Sequence, residues 1–591
     1  LSHNFSRGSI VALASCGYIN AALGRIKADL VIRSARIVDV NTREVYSSDI
    51  AISKDRIVLV GDSSPLVGHD TSIISAAGLY AVPGFVDAHI HIESTMLTPT
   101  EFCKVAAKHG TSTVVWDPHE LVNVAGFEAL EVAIKETSRL PLHVFFVVPS
   151  CVPSAPGKET SGARLDAKQV SRAFELSRVI GLGEMMDYSG VLSCSHDAIA
   201  KIDKARRMHL IIDGHAPKLT GRELCAYIAS GIRSDHESTS EQEGMERLRL
   251  GMWLMIRESS TSKDLSNLIK PLVKGGIDAR HCMFVSDDRS VNDLLLEGHM
   301  DYILRKAISE GMDPITAIQL MTVNPATYMH IDGDVGSIAP GRFADILLLN
   351  DLSRTRIEKA VIGGREIERY PEVSRFRYPR KLTETVKLRR TLMSSDFEYG
   401  TRHLREIDAI VVRMLQESLL TVREIRQFKI REGAIQLSDD VLFAFVIERH
   451  RRTGKIGRGF IAGLGSLDGA LAQTIAHDSH NVIVVGSNPA NVLVAARKVV
   501  LMQGGIALSH NGKIVASLPL KLGGLMSEKP AEEVAAERAS LEDLSRELGV
   551  CVRSPIATLS FLSLPVIPAI RLTDKGLFDV DRGVFINPVL T

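Results

Sequence analysis

The stretch that decides the fold is GFVDAHIHIE (84–93), which begins apolar and ends on two histidines one residue apart, His89 and His91. Side chains alternate along a strand, so residues i and i+2 point the same way and both imidazoles can reach one ion. Alone the pair is weak evidence, and its weight comes from repetition. Seven later runs pass from apolar to polar in the same sense: STVVWDPHE (112–120), HVFFVVPS (143–150), VIGLGEMM (179–186), HLIIDGHA (209–216), IRSDHES (232–238), WLMIRESS (253–260) and CMFVSDD (282–288). Eight such runs, alternating with helical stretches, read as repeated βα units around a parallel sheet. The expected fold class is α/β, with a (β/α)8 barrel over 80–340, close to the roughly 250 residues typical of that architecture. Active sites of such barrels lie at the carboxyl ends of the strands, where these polar residues fall.

Outward from the barrel, ADLVIRSARIVDV (28–40) and SSDIAISKDRIVLVG (47–61) alternate as short strands, and ILLLND (346–351) resumes the pattern after the insertion. The barrel is therefore expected to interrupt a small β-sandwich built from 28–79 and 341–370. A basic connector near Tyr370 to Lys387 leads into a mixed α/β C-terminal domain, 385–591, with VLFAFVIERH and NVIVVG as strands and EEVAAERASLEDLSREL as a helix. Residues 1–27 are a lead-in, with a short amphipathic helix expected from Ile10 to Leu23 and no signal peptide.

The 591 residues carry 70 Lys and Arg against 70 Asp and Glu, and 45% are apolar. Disorder is excluded, and the zero net charge lacks the basic footprint of nucleic-acid or anionic-membrane binders. No apolar run of about 18 residues is present to span a bilayer. Seven scattered cysteines, never spaced CxxC, point to reduced thiols and a cytoplasmic location. A small-molecule substrate and a homo-oligomer, a dimer, are expected.

Glu184 ends the fourth run, His215 the fifth, His236 the sixth and Asp287 the eighth. With His89 and His91 these make four imidazoles and two carboxylates, a set suited to zinc, iron or manganese and too large for one tetrahedral ion. A bridging carboxylate, Glu184, accounts for the number if two ions are held. Between two such ions a water ionises near neutral pH and can attack an electrophilic carbon. Asp287 is the best placed base to take its proton. The acid is less determined: Glu93 shares strand parity with His89 and His91, whereas Glu237, beside His236, should point away if the strand stays regular.

Asp117, His119 and Glu120 can read a substrate edge or add a metal contact, although Asp117 and Pro118 can equally shape a turn. Arg257, Glu258 and Ser259 on the seventh run carry the same two readings, and Trp116 is expected in the core. His477 and His480, in HDSHN, are open to three: a second metal site, a lid reaching the barrel mouth, or a polar turn.

The ligand pattern resembles the amidohydrolase superfamily. More narrowly, GFVDAHIHIES, WDPHELVNV, GEMMDY, DGHAP, SDHES, MIRESS and VSDDR, with the late HDSHN and FLSLPVIPA, resemble the bacterial adenine deaminase family from about residue 28 onward. Glu184 stands where many binuclear relatives carry a carbamylated lysine. Lys218 stands where mononuclear deaminases carry the glutamate of an HxxE motif. The resemblance implies hydrolysis of adenine to hypoxanthine and ammonia with two divalent ions, Mn2+ or Fe2+, Zn2+ remaining possible, and free adenine preferred to adenosine. The alternatives are a cyclic amide or imide hydrolase of dihydroorotase or hydantoinase type, and a non-catalytic protein that keeps the fold.

Overall fold

The computed structural model describes residues 16–370, 372–399, 404–415, 418–438 and 440–590. Within these, Cys16–Ala22 is helical, and the rest of the expected lead-in helix, before residue 16, lies outside the described residues.

All eight apolar-to-polar runs contain strands. Five pair in parallel in the order Ile211–Gly214, Val179–Met185, His143–Val148, Thr111–Trp116, Phe85–Ile90. Three more, Ser234–Asp235, Trp253–Arg257 and Cys282–Val285, form a second parallel ladder. The sheet curls so that its ends approach: Ile90 and Asp287 form a parallel bridge, the Asp287 amide donates to the His89 carbonyl at 3.0 Å, and on the other side the Gly214 amide donates to Ser234 Oγ at 3.2 Å. Inside the curl Val86, Ala88, Val115, Phe145, Val147, Ile180, Met255, Met283 and Val285 pack with Tyr328, Met329 and Phe343 in one buried cluster. Pairing of the first strand with its neighbour shifts register between Asp87 and Ile90, so regular alternation does not run through His89.

The two flanking β stretches meet in one eight-stranded sheet. Two packed sheets were expected. Tyr80–Pro83 pairs in parallel with Leu30–Val38 and antiparallel with Ile346–Leu349, which makes the halves continuous. The expected boundary at residue 79 thus falls just before a strand that belongs to this sheet.

Beyond the connector, ten strands between Glu406 and Leu590 form a mixed sheet that includes Val441–Ile447 and Val482–Gly486. The helix Pro489–Leu501 packs against it. Helix Ala531–Glu547 carries Glu532 and Glu533 in its first turn and Arg546 in its last, matching its dipole. This helix crosses the polar end of the curled sheet, where Asn292 donates to the Ala535 carbonyl at 3.2 Å. Ser527 pairs with the 96–98 segment through amide to carbonyl bonds of 2.7 and 3.2 Å. Among the described residues no helix is long and apolar enough to cross a membrane, and all seven cysteines are free.

Candidate metal centre

The six expected ligands converge at the polar end of the curled sheet, all but His215 almost fully buried. Each sits at or just past a strand end, because the strand backbone is consumed by its ladder while the residue after it is free to turn inward. His89 and His91 do share a side, with ring centroids 4.9 Å apart. Glu184 lies at the centre: Oε1 is 3.5 Å from His91 Nε2 and 3.4 Å from His119 Nδ1, while Oε2 is 2.6 Å from His215 Nδ1 and 3.2 Å from His236 Nε2. Its two oxygens therefore serve two pairs of imidazoles. Asp287 Oδ1 lies 3.6 Å from His89 Nε2 and 3.4 Å from His91 Nε2. Asp287 adopts a left-handed backbone, φ 54°, an unusual conformation of the kind that collects at functional sites.

Supports beneath the cluster fix tautomers. The Asp117 carbonyl accepts from His91 Nδ1 at 3.0 Å, which leaves Nε2 as the nitrogen with a lone pair to offer. Asp117 Oδ2 accepts from the Glu184 amide at 3.1 Å, and a Cβ on Gly183 would lie 2.1 Å from that oxygen, so glycine is required there. Asp117 is thus engaged in holding Glu184 and His91. Trp116 is fully buried as expected, and its Nε1 also donates to Glu93 Oε2 at 2.7 Å.

Electrostatics follow from this crowding. Burial opposes ionisation of Glu184, yet His215 and His236 outweigh it and hold the carboxyl well below its usual range. Asp287 behaves likewise: burial raises it, while His89, His91 and Arg257, whose Nη1 is 3.4 Å from Oδ2, hold it low. Arg257 also pairs with Glu237 and Asp264, whereas its neighbour Glu258 turns outward to Lys306 at 2.7 Å. His89 is fully buried with neither ring nitrogen hydrogen-bonded, and His119 Nδ1 is in the same position. Unpaired buried imidazole nitrogens facing carboxylate oxygens are the donor set of a divalent ion, so the residues fit such a group.

Two parity arguments fail. Strand Ser234–Asp235 is only two residues long, so alternation does not reach Glu237, which turns inward to 3.4 Å from His236 Nε2. Strand Phe85–Ile90 ends before Glu93, which lies on the 3-10 turn Ile92–Thr95. Glu93 nevertheless lines the adjoining cavity, accepts from the Leu121 amide at 3.1 Å, and is pushed up to about 7 by burial and by the charge of Glu120. That cavity, about 390 Å³, is also lined by Ser94, Glu120, Asp288, His477 and Phe561.

His477 lines it from the C-terminal region, with Nδ1 2.9 Å from Glu120 Oε1, and Asp478 Oδ1 lies 3.9 Å from His119 Nε2. His480 is buried behind them, its Nδ1 accepting from the Ala476 amide at 3.2 Å. Sequence reasoning passed over Asp288, Asp213 and Asp478. Asp288 pairs with Ser94, Asp213 Oδ2 lies 3.9 Å from His89 Nδ1, and only the repeated acid of the SDD run marked any of them.

The amidohydrolase family model matches residues 80–367, and the adenine deaminase C-terminal domain model matches 418–583. An adenine deaminase of Methanococcoides burtonii is 40% identical over 572 residues, 96% of this chain and 97% of that one. One of Archaeoglobus fulgidus is 41% identical, covering 95% and 96%, and one of Clostridium botulinum 36%, covering 96% of each. Among solved structures, molinate hydrolase aligns at 15% identity and TM-score 0.41 over 60% of this chain and 99% of its own, a likeness that carries no argument.

Proposed function

This chain belongs to the adenine deaminase family of amidohydrolases, and from that premise we propose that it hydrolyses adenine to hypoxanthine and ammonia at a binuclear metal centre. The observation that carries the binuclear reading is Glu184, whose two oxygens each face a different pair of imidazoles. In this reading His89, His91 and Asp287 would hold one ion and His215 and His236 the other, with Glu184 as the carboxylate shared between them and His119 alongside. Manganese or iron, with zinc as the third option, would supply Lewis acidity that lowers the pKa of water towards neutrality.

The chain's own groups manage the protons. Asp287, kept ionised by its neighbours, accepts the proton of the attacking water and returns it to the departing amine. Arg257 holds that carboxylate in place. Glu93, with its pKa raised to about 7, keeps a proton available for the purine ring, and Trp116 fixes its orientation. Glu237, beside His215 and His236, is the second candidate for that acid.

We read the curled sheet as a closed (β/α)8 barrel over 84–340, supported by the Ile90–Asp287 bridge and the Gly214–Ser234 contact. The flanking sheet of 28–83 and 341–370 and the C-terminal region 385–591 are read as its two companion domains, and the molecule as a cytoplasmic homodimer in purine salvage. Free cysteines suit a reducing compartment. The test is a titration of metal-free protein with Mn2+, following hypoxanthine formation. Activity should saturate at two ions per chain. Saturation at one would remove the bridge and leave Glu184 as a supporting residue.

A further inference from the structure

Glu120, His477 and His480 stand apart from the ligands that the proposed reaction uses, yet their polar atoms lie within 4.8 Å of one another. A third ion is the first possibility to weigh. It fails on hydrogen-bond grounds: His480 Nδ1 accepts from the Ala476 amide, so its Nε2 carries the hydrogen and offers no lone pair. Burial first, against the charge of Glu120, pushes His480 down to about 3, so it stays neutral.

His477 differs. A carboxylate can only accept, so the 2.9 Å contact with Glu120 Oε1 places a hydrogen on Nδ1 and leaves Nε2 as the ring's other polar atom. The ring plane is fixed by stacking on Phe561, centroids 4.7 Å apart and planes 18° from parallel. The backbone is held as well, the His477 amide donating to the Ser560 carbonyl at 2.9 Å and its carbonyl accepting from Ser563 Oγ at 3.4 Å. A carboxylate that orients an imidazole and stabilises its cationic form is the arrangement by which enzymes present a second nitrogen to a ligand. The cavity it lines also holds Glu93 and Glu120.

We propose that His477 contacts the purine directly, its Nε2 donating to a ring nitrogen outside the reacting amidine, N3 or N7, while Glu120 is the positioning residue that fixes its tautomer. The cationic form this needs is favoured: burial works against it, but Glu120 outweighs burial and raises the imidazole to about 9. The site would then be completed only by docking of the C-terminal region, which carries His477 from more than 350 positions downstream of Glu120 (477 − 120 = 357). The proposal rests on the adenine deaminase reading.

The experiment uses the full-length, metal-loaded protein and two variants, His477→Leu and Glu120→Gln, with 3-deazaadenine and 7-deazaadenine as competitive inhibitors of adenine deamination. Each analogue lacks one ring nitrogen. A hydrogen bond to a charged donor makes one of them bind about 10- to 100-fold more weakly than adenine in the parent. In His477→Leu the KM for adenine should rise by that factor while that analogue's inhibition constant stays put, closing the gap, and the other analogue's inhibition constant should rise by the same factor as the KM, leaving its ratio to adenine unchanged. Glu120→Gln should narrow the same gap. Metal content and melting temperature establish that each variant is folded. If His477→Leu does not fold, Glu120→Gln decides alone: a narrowed gap supports the contact and an unchanged one overturns it. A parent with no gap for either analogue, or gaps that survive both substitutions, overturns the inference. A parent that does not deaminate adenine at all fails the underlying reading instead.

Discussion

Individual side chains here are set by who faces them. Asp287 is ionised because two imidazoles and Arg257 surround it, so Asp287→Asn should lower kcat by about 10² to 10⁴. Metal content should fall much less, since five other ligands remain, and activity within a few-fold of the parent would show that another group carries the proton. Glu159 is the opposite case. It is buried beside Ser154, and burial first, then the charge of Asp478, pushes its carboxyl up to about 8 from the ordinary 4.5. The folded form therefore keeps a proton that the unfolded chain loses above 4.5, so stability should decline as pH rises from about 4.5 to about 8, by at most about 1.4 kcal/mol per pH unit. Melting temperatures of parent and Glu159→Gln across that range check it: the parent's slope should be steeper. The six residues that converge at the polar end of the sheet were legible in the sequence because each ends an apolar run. Glu159 and Asp478 were not, because the charge of one reaches the other only when a loop meets a segment some 300 residues away.

At the level of elements, the seam between the first and eighth strands sets the spacing of the centre. Asp87 accepts from the Ser286 amide at 3.2 Å and from Ser286 Oγ at 2.6 Å, and faces His299 Nε2 at 3.3 Å. Each of these groups is wholly buried, so Asp87→Ala leaves them unpaired. A loss of about 3 kcal/mol in unfolding free energy is expected, read by denaturant titration, together with weaker metal retention. A change below about 0.5 kcal/mol would mean the seam is held elsewhere. The strands themselves were legible from their apolar runs, and the sixth shows where that reading stops. IRSDHES brings His236 to the cluster, but only Ser234 and Asp235 pair as strand, so the residue after His236 could not be oriented by counting. Glu237 faces inward because the ladder has already ended.

Over the whole molecule, the C-terminal region and the curled sheet share one core. A single buried cluster runs from Ile90, Leu97 and Phe102 through Val412, Leu471 and Leu522 to Ile556 and Leu572. Truncation near Arg380 would expose that apolar surface and remove His477 and Asp478, so adenine turnover should be lost, and a soluble, metal-loaded, fully active fragment would contradict this. The sequence divides the chain into a strand-rich opening, a βα middle and a mixed end. It did not show that the last closes over the second, because apolar periodicity reports that a face is buried and not which partner buries it. The central claim concerns what the assembled centre does, and one side-by-side assay addresses it: ammonia and hypoxanthine release from adenine, with ring opening of dihydroorotate, by the same manganese-loaded full-length preparation. Adenine should be converted to stoichiometric hypoxanthine and ammonia with dihydroorotate left intact. Ring opening of dihydroorotate without any release of ammonia from adenine would contradict it.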